Sequence, residues 1–322
     1  MNRQKNIAVV GQGVMGLTCA EKLLQRGFTV EIFSKEDFLE TTSLSAGAYW
    51  WPHRAYPEER VSKWAATTYD VYFRMREDPD SGVSFQKHYR FCIDPDDSSY
   101  ALQIVDEWEK IDGAEHGIPC HEAFLVTLPV IEVPVFMARL REQVLENGAT
   151  ILIHEFGSPT ELFPRFDMVV NCTGVWARDF ADDPEVFPIR GQVVRASLPE
   201  GLQASTRLYQ KNDNFTLVLP RSGDVILGGT AQEGDWSREV SEQDTDTILK
   251  RCTELVPQIA ECEVLETKVG LRAGRPEIRL ELELSGPDQP VIHNYGHGGG
   301  GYTVAWGCAD EVAELATRHF AA

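Results

Sequence analysis

Residues 8–16 read Ala8-Val9-Val10-Gly11-Gln12-Gly13-Val14-Met15-Gly16, and their setting decides the fold. Ile7 to Val10 is a short apolar run of strand type. A helical pattern follows to about Arg26, with Leu17, Ala20, Leu23 and Leu24 on one face and Gly27 at its end. Phe28 to Phe33 then gives a second strand. The three glycines therefore stand between a strand and a helix, the βαβ context of a dinucleotide cradle. Gly11 permits the tight turn, Gly13 removes a Cβ that would strike a pyrophosphate, and Gly16 lets helix meet sheet. Val14 and Met15 open a helix whose N-terminus faces the phosphates. An acid usually closes the second strand and binds ribose hydroxyls. Here that place is filled by Ser34, Lys35 and Glu36, so either Glu36 one step later or Ser34 more weakly takes the ribose.

Working outward, Thr41-Thr42-Ser43 is a hydroxyl cluster, and Gly47-Ala48-Tyr49 is a turn leading into Trp50-Trp51. Such a segment soon after the second strand can reach a pyrophosphate and then an isoalloxazine ring. A nicotinamide enzyme has no use for it, so the cofactor is read as FAD. Val170 to Cys172 is a buried strand running into Thr173-Gly174, the closing strand of two-dinucleotide flavin folds, where backbone passes the adenosine half. Gly191 is placed near the flavin edge, and Arg190 is read as a structural ion-pair residue. A glycine run, His297-Gly298-Gly299-Gly300-Gly301, opens the last helix, expected from about Thr303 to Thr317.

Other elements are legible from end signals. Pro134 to Asn147 reads as a helix with Pro at its start, Thr150 to His154 as a strand, and Phe215–Leu219 with Val225–Leu227 as a hairpin. Ser241 to Asp244 resembles a capping box before a helix that Pro257 stops. Between residues 56 and 130 only one helix, near Glu59 to Met75, stands out. The pattern is α/β: a Rossmann-like FAD-binding domain of the two-dinucleotide type, carried discontinuously by 1–55, 145–195 and 265–322. An α+β substrate-binding domain is inserted as 56–144 and 196–264.

The chain has 322 residues, with 30 Lys+Arg against 50 Asp+Glu and a formal net charge of −20. That balance argues against nucleic acid and anionic membrane as partners. Seven cysteines, without CxxC pairs or zinc spacing, suggest reduced thiols in a cytosol. MNRQKN leads straight into a strand, and the last residues are not a peroxisomal address. The expectation is a cytoplasmic enzyme with a small-molecule substrate and no bound metal.

Several long stretches then converge: GQGVMG, ETTSLSAGAYWWPHRAYP, VVNCTGVWA, FPIRGQVV, VILGGT with Gly234-Asp235-Trp236, GLRAGRPEIRLE and HNYGHGGGGYTVAWG. From end to end the chain resembles the D-amino-acid oxidase family, which includes the D-aspartate oxidases, and most of all its bacterial members. The resemblance implies hydride transfer from Cα to flavin N5, reoxidation by O2 to hydrogen peroxide, and hydrolysis of the imino acid to a 2-oxo acid and ammonia. Arg272 matches the family's carboxylate-binding arginine, which offers two parallel donors. Gly299 matches the glycine whose carbonyl receives the amino group. Gly298, Gly300, Gly301, Tyr302 and Thr303 become flavin contacts at a helix start that favours the negative charge of a reduced flavin. Arg275 and Arg279 are read as structural. A homodimer is usual in the family.

The sequence departs from the family in the substrate half. Mammalian members place two tyrosines where Asp213 and Leu217 stand, so the second carboxylate contact falls to Arg54, Tyr209, Lys211 or Tyr302. D-aspartate oxidases carry an arginine where Ala231 stands. Tyr49 occupies a position that is aliphatic in the family. The expectation is an oxidase of neutral, apolar D-amino acids, with Arg272, Gly299, Leu217, Ala231, Tyr49 and Arg54 at the substrate. The alternatives are an acidic D-amino-acid oxidase through Arg54 or Lys211, a glycine or sarcosine-type oxidase, or a flavoprotein without turnover.

Overall fold

The computed structural model describes residues 3–53, 55–94, 97–209 and 215–321. Arg54, Lys211 and Asp213, named above as substrate-site candidates or departures, lie outside the described residues, as does the side chain of Tyr209.

Two sheets organise the chain. One has six strands: β1 (Asn6–Val10), β2 (Thr29–Ser34), β6 (Thr150–Ile153), β7 (Met168–Asn171), β14 (Arg279–Leu284) and β15 (Pro290–Tyr295), in the order β14-β15-β7-β1-β2-β6. All run parallel to their neighbours except β14, which returns antiparallel on β15. The other comprises β3 (Val83–Cys92), β4 (Trp108–Ile111), β5 (Glu122–Ile131), β8 (Phe187–Ser197), β9 (Ser205–Tyr209), β10 (Phe215–Pro220), β11 (Asp224–Gly228), β12 (Gln232–Glu233) and β13 (Val264–Gly274). Its order is β12-β8-β11-β10-β9-β3-β5-β4, with β13 also pairing β8.

The helices are α1 (Val14–Gln25), α2 (Glu58–Met75), α3 (Val133–Glu146), the short α4 (Ala177–Phe180), α5 (Glu242–Leu255) and α6 (Gly301–Ala321). Helix α6 packs on both α1 and α2. At Gly307 an added Cβ would lie 2.3 Å from the Trp64 Cα, so these two backbones approach as closely as only glycine allows. Glu21, 1% exposed on α1, accepts from Gln143 and Asn147 across the α1–α3 seam. The buried carboxylate is thereby satisfied by amides. Ser241 caps α5 by accepting from the Asp244 N–H at 3.1 Å, as its sequence suggested.

The sequence-based division and the sheets differ. Strand β8 and strand β13, which 145–195 and 265–322 placed in the cofactor half, both belong to the nine-stranded sheet, where β13 pairs with β8 alone. Helices α2 and α3, placed in the substrate half, pack against α6 and α1 of the cofactor half. Hydrophobic spacing marks elements but not which sheet a strand joins; β8 and β13 are 11-residue strands paired with each other. Residues 56–130, nearly silent in sequence, supply the long β3–β5 pair.

Candidate active site

Two adjoining cavities lie where the sheets meet. The larger, about 370 Å³, is lined by the carboxyl ends of β1, β2, β6 and β7 and by the start of α6. In an open parallel sheet this is where ligands bind. Its lining includes Gly11, Gly13, Val14, Met15, Ser34, Lys35, Glu36, Thr41, Thr42, Ser43, Thr173, Gly174, Gly298, Gly299, Gly301 and Tyr302, all expected at the cofactor. The smaller, about 140 Å³, holds Gly47, Ala48, Tyr49, Leu217 and Ala231. Tyr49, Gly47 and Ala48 thus belong to the second cavity rather than the first. Thr42, Ala46, Arg272, Gly299 and Tyr302 line both.

The cradle is made largely of backbone. Gly11 has φ +116°, and a Cβ there would lie 2.3 Å from the Cys172 carbonyl oxygen. A Cβ on Gly13 would lie 2.9 Å from Ser43 Oγ, which itself accepts from the Val14 N–H at 2.9 Å. The first turn of α1 carries no acid, so its partial positive end is open to phosphate. Gly16 does not line the cavity; a Cβ there would stand 1.8 Å from the Gly11 carbonyl oxygen, so its part is helix-to-strand packing. Gly300 and Thr303 are also absent from the lining. Gly300 faces Ala55 and His53, and the Thr303 hydroxyl donates to Trp51 O at 2.9 Å and accepts from Trp51 N. These residues anchor the α6 start instead of contacting the cavity.

At the ribose position, Ser34 Oγ donates to the Glu36 carbonyl at 2.9 Å, and the Glu36 carboxylate pairs with Arg238 at 2.6 Å. Lys35 pairs with Glu155 and lies 3.4 Å from the Trp176 ring centroid. His154, Glu155, Phe156, Trp176 and His297 also line this cavity, and sequence reading missed them. The first three follow β6, whose place beside β2 only pairing reveals. Burial pushes the His297 ring down to about 3, so it is neutral, with Nε2 beside Asn294 Oδ1 at 3.0 Å. A cavity of this length, with a Cβ-intolerant turn, an acid-free helix start and hydroxyls from 41–43, fits FAD.

Arg272 rises from β13 beside Ile189 of β8. Its Nη1 donates to the Thr230 carbonyl at 3.0 Å. A Cβ on Gly191 would stand 2.2 Å from that same nitrogen, so the glycine is what lets the guanidinium lie over β8. Tyr302 sits in the first turn of α6. Burial, with Tyr72 adding to it, holds its hydroxyl well above the ordinary phenol range; it stays protonated and donates to Ser43 O at 2.9 Å. Arg190 is structural as expected, bonded to Asp244, Gln232, Gln192 and the Glu239 carbonyl. So are Arg275 and Arg279, both paired with Asp183.

The main surprise of the second cavity is Arg207, on β9 directly across from Leu217. It is 4% exposed, bonds the Tyr49 hydroxyl through Nη1, and packs 4.5 Å from the Phe215 ring. The uncharged Leu217/Ala231 wall therefore has a cation beside it. The signal was a lone arginine in Ser205-Thr206-Arg207-Leu208-Tyr209, a run polar enough to read as loop.

A dinucleotide cradle opening onto a small pocket through an arginine defines a flavin oxidoreductase of carboxylate-bearing small molecules. The chain belongs to the D-amino-acid oxidase (DAO) family, whose model, described as FAD dependent oxidoreductase, matches residues 6–315. It is 42% identical to the D-amino-acid oxidase of Rubrobacter xylanophilus, over 96% of this chain and 94% of that one. Identity is 36% to the D-amino-acid oxidase of Streptomyces coelicolor, over 98% of each chain. It is 34% to the D-aspartate oxidase of Homo sapiens, over 97% of this chain and 94% of that one. Among solved structures, glycine oxidase from Geobacillus kaustophilus shares the fold, with TM-score 0.81 and 19% identity over 98% and 95% of the two chains. The protein is an FAD-dependent oxidase of D-amino acids. Its partners are a small-molecule substrate and O2. Among the described residues no helix is long and apolar enough to cross a membrane.

Proposed function

We propose that oxidative deamination takes place where the two cavities meet, with Arg272, Gly299 and Tyr302 as the residues at the reacting atoms. The carrying observation is that these three line both cavities. FAD held in this cradle would supply a two-electron acceptor that O2 can reoxidise, giving hydrogen peroxide. The chain supplies orientation. Arg272 receives the α-carboxylate on two parallel N–H donors, fixing position and angle together. The Gly299 carbonyl accepts from the amino group and so sets which of the four groups on Cα points to the flavin. Tyr302, tied to Ser43, keeps the α6 start beside the cofactor, where partial positive charge favours reduction. Water then hydrolyses the released imino acid to a 2-oxo acid and ammonia.

Cofactor contacts are proposed at Gly11, Gly13, Val14, Met15, Thr41–Ser43, Thr173, Gly174, Gly298 and Gly301, with Ser34, Lys35 and Glu36 at the adenosine end. The division of labour that goes with this gives the six-stranded sheet to the cofactor and the nine-stranded sheet to the substrate. Leu217 and Ala231 alone would favour neutral side chains; Arg207 beside them supplies the cation that such a preference lacks. A homodimer in the cytoplasm is part of the same proposal.

The test is peroxide release from a panel of D- and L-amino acids, with anaerobic bleaching of the yellow protein as a second readout. Turnover of D-forms is expected. Turnover restricted to L-forms or to secondary amines would overturn the reading.

A further inference from the structure

The floor of the substrate cavity is a row of paired residues on one sheet face: Gly191 and Val193 of β8, Gly228 of β11, Leu217 of β10 and Arg207 of β9. At one end, over Gly191, lies the Arg272 guanidinium. At the other rises Arg207. Strand β8 to strand β9 is three steps, roughly 14 Å at about 4.8 Å each. The Arg207 guanidinium lies over the Phe215 ring of the neighbouring strand, 4.5 Å from its centroid.

Arg207 is held in an unusual state. It is 4% exposed, and its Nε and Nη2 have no acceptor among the described residues. Its bonded partner is the Tyr49 hydroxyl, not a carboxylate. Next to Tyr49, stacked at 4.8 Å, is His88, which burial and the nearby Arg90 and Arg207 keep neutral. Arg90 pairs with Arg207 across the β3–β9 ladder and adds to the positive field. A buried guanidinium without a carboxylate is expensive, and truly orphaned donors are rare in native proteins. A ligand carboxylate would satisfy both donors and the charge at once.

We infer that Arg207 is the specificity-determining residue of this pocket and receives a carboxylate at the end of the substrate's side chain, so that the preferred substrates are acidic D-amino acids. This rests on the D-amino-acid oxidase reading and deepens it. Arg272 takes the α-carboxylate and Arg207 the second one, with two or three carbons between them lying over Leu217 and Val193. The tyrosine hydroxyl of Tyr49 orients the guanidinium from behind.

The holoenzyme decides it in two measurements. In the first, the flavin spectrum is titrated with succinate and with butyrate, which differ in one carboxylate. Wild type should bind succinate about 100-fold more tightly. In the second, kcat and KM are measured for D-glutamate, D-aspartate, D-alanine and D-leucine in wild type and Arg207→Met. The variant should raise KM for the two acidic substrates about 100-fold more than for D-alanine and D-leucine. Equal loss on all four would show that Arg207 holds the α-carboxylate and would overturn the inference; so would unchanged kinetics, or equal binding of succinate and butyrate by wild type. If Arg207→Met does not fold, the wild-type titration still decides. Should no D-amino acid turn over, the oxidase reading fails, while the succinate-to-butyrate ratio still reports on Arg207.

Discussion

The two cavities are built by opposite means. The cofactor cavity is organised around a backbone turn: glycines 11, 13, 174, 298, 299 and 301, a helix start, and hydroxyls within a few residues of one another. The substrate cavity is mostly side chain, contributed by β8, β9, β10, β11, β13 and the 45–53 loop. A backbone cradle depends on residues that cannot be replaced without a clash, so it leaves a strong mark in sequence. A side-chain pocket can be rebuilt with other residues, and its members are gathered by strand pairing, which sequence reading does not see.

That contrast can be broken or sharpened by three substitutions. The largest effect is expected from Gly11→Val. Its Cβ would lie 2.3 Å from a carbonyl oxygen at φ +116°, so the cradle cannot form. The purified protein should be colourless, with no flavin spectrum on adding FAD; a yellow, active variant would mean the glycine turn is not what holds the cofactor. Arg272→Met comes next. Loss of a bidentate charged contact should lower kcat/KM by about 10³-fold, while the flavin spectrum and melting temperature stay near wild type. Bleached or unfolded protein would show that the arginine supports the cradle rather than the substrate.

The smallest effect on catalysis, and one on stability, is expected at Asp183. Its side chain is 5% exposed, and it joins Arg275, Arg279 and the Tyr295 hydroxyl. Burial alone would raise its pKa, but the Tyr295 hydrogen bond and the Arg275 charge more than offset this and leave it lowered. A depressed folded pKa means the stabilisation is present above the unfolded value, about 4, and disappears as pH falls through the folded one. Asp183→Asn should cost about 3 kcal/mol at neutral pH and flatten the loss of melting temperature below about pH 4. An unchanged acid profile would remove Asp183 from the stability of this edge.

How much the sequence disclosed follows the same line. The β1–α1–β2 unit, α3, α5 and α6 came within a few residues of their observed bounds, because helix and strand periods and end signals are local. Helix α6 starts at Gly301 rather than Thr303, since glycine weakens the pattern without preventing the turn. Strands β3 and β5 were missed. In β3 the inward positions include His88 and Arg90, 1% and 2% exposed, so the alternation of apolar and polar residues is broken. Arg272 was legible because its flanking stretch is long and distinctive. Arg207 was not, because its role comes from lying opposite Leu217, a relation set by hydrogen-bonded register. Pairing of β8 with both β11 and β13 was likewise invisible.

The tie from the Tyr302 hydroxyl to the Ser43 carbonyl, with Thr303 clasping Trp51, has a consequence for biogenesis. The far wall of the glycine turn near residue 11 is translated some 290 residues after it. Until then α1 lacks the helix that covers it, and the nascent chain has only half a berth for its prosthetic group. A berth whose two walls lie at opposite ends of the sequence is complete only once α6 has docked on α1.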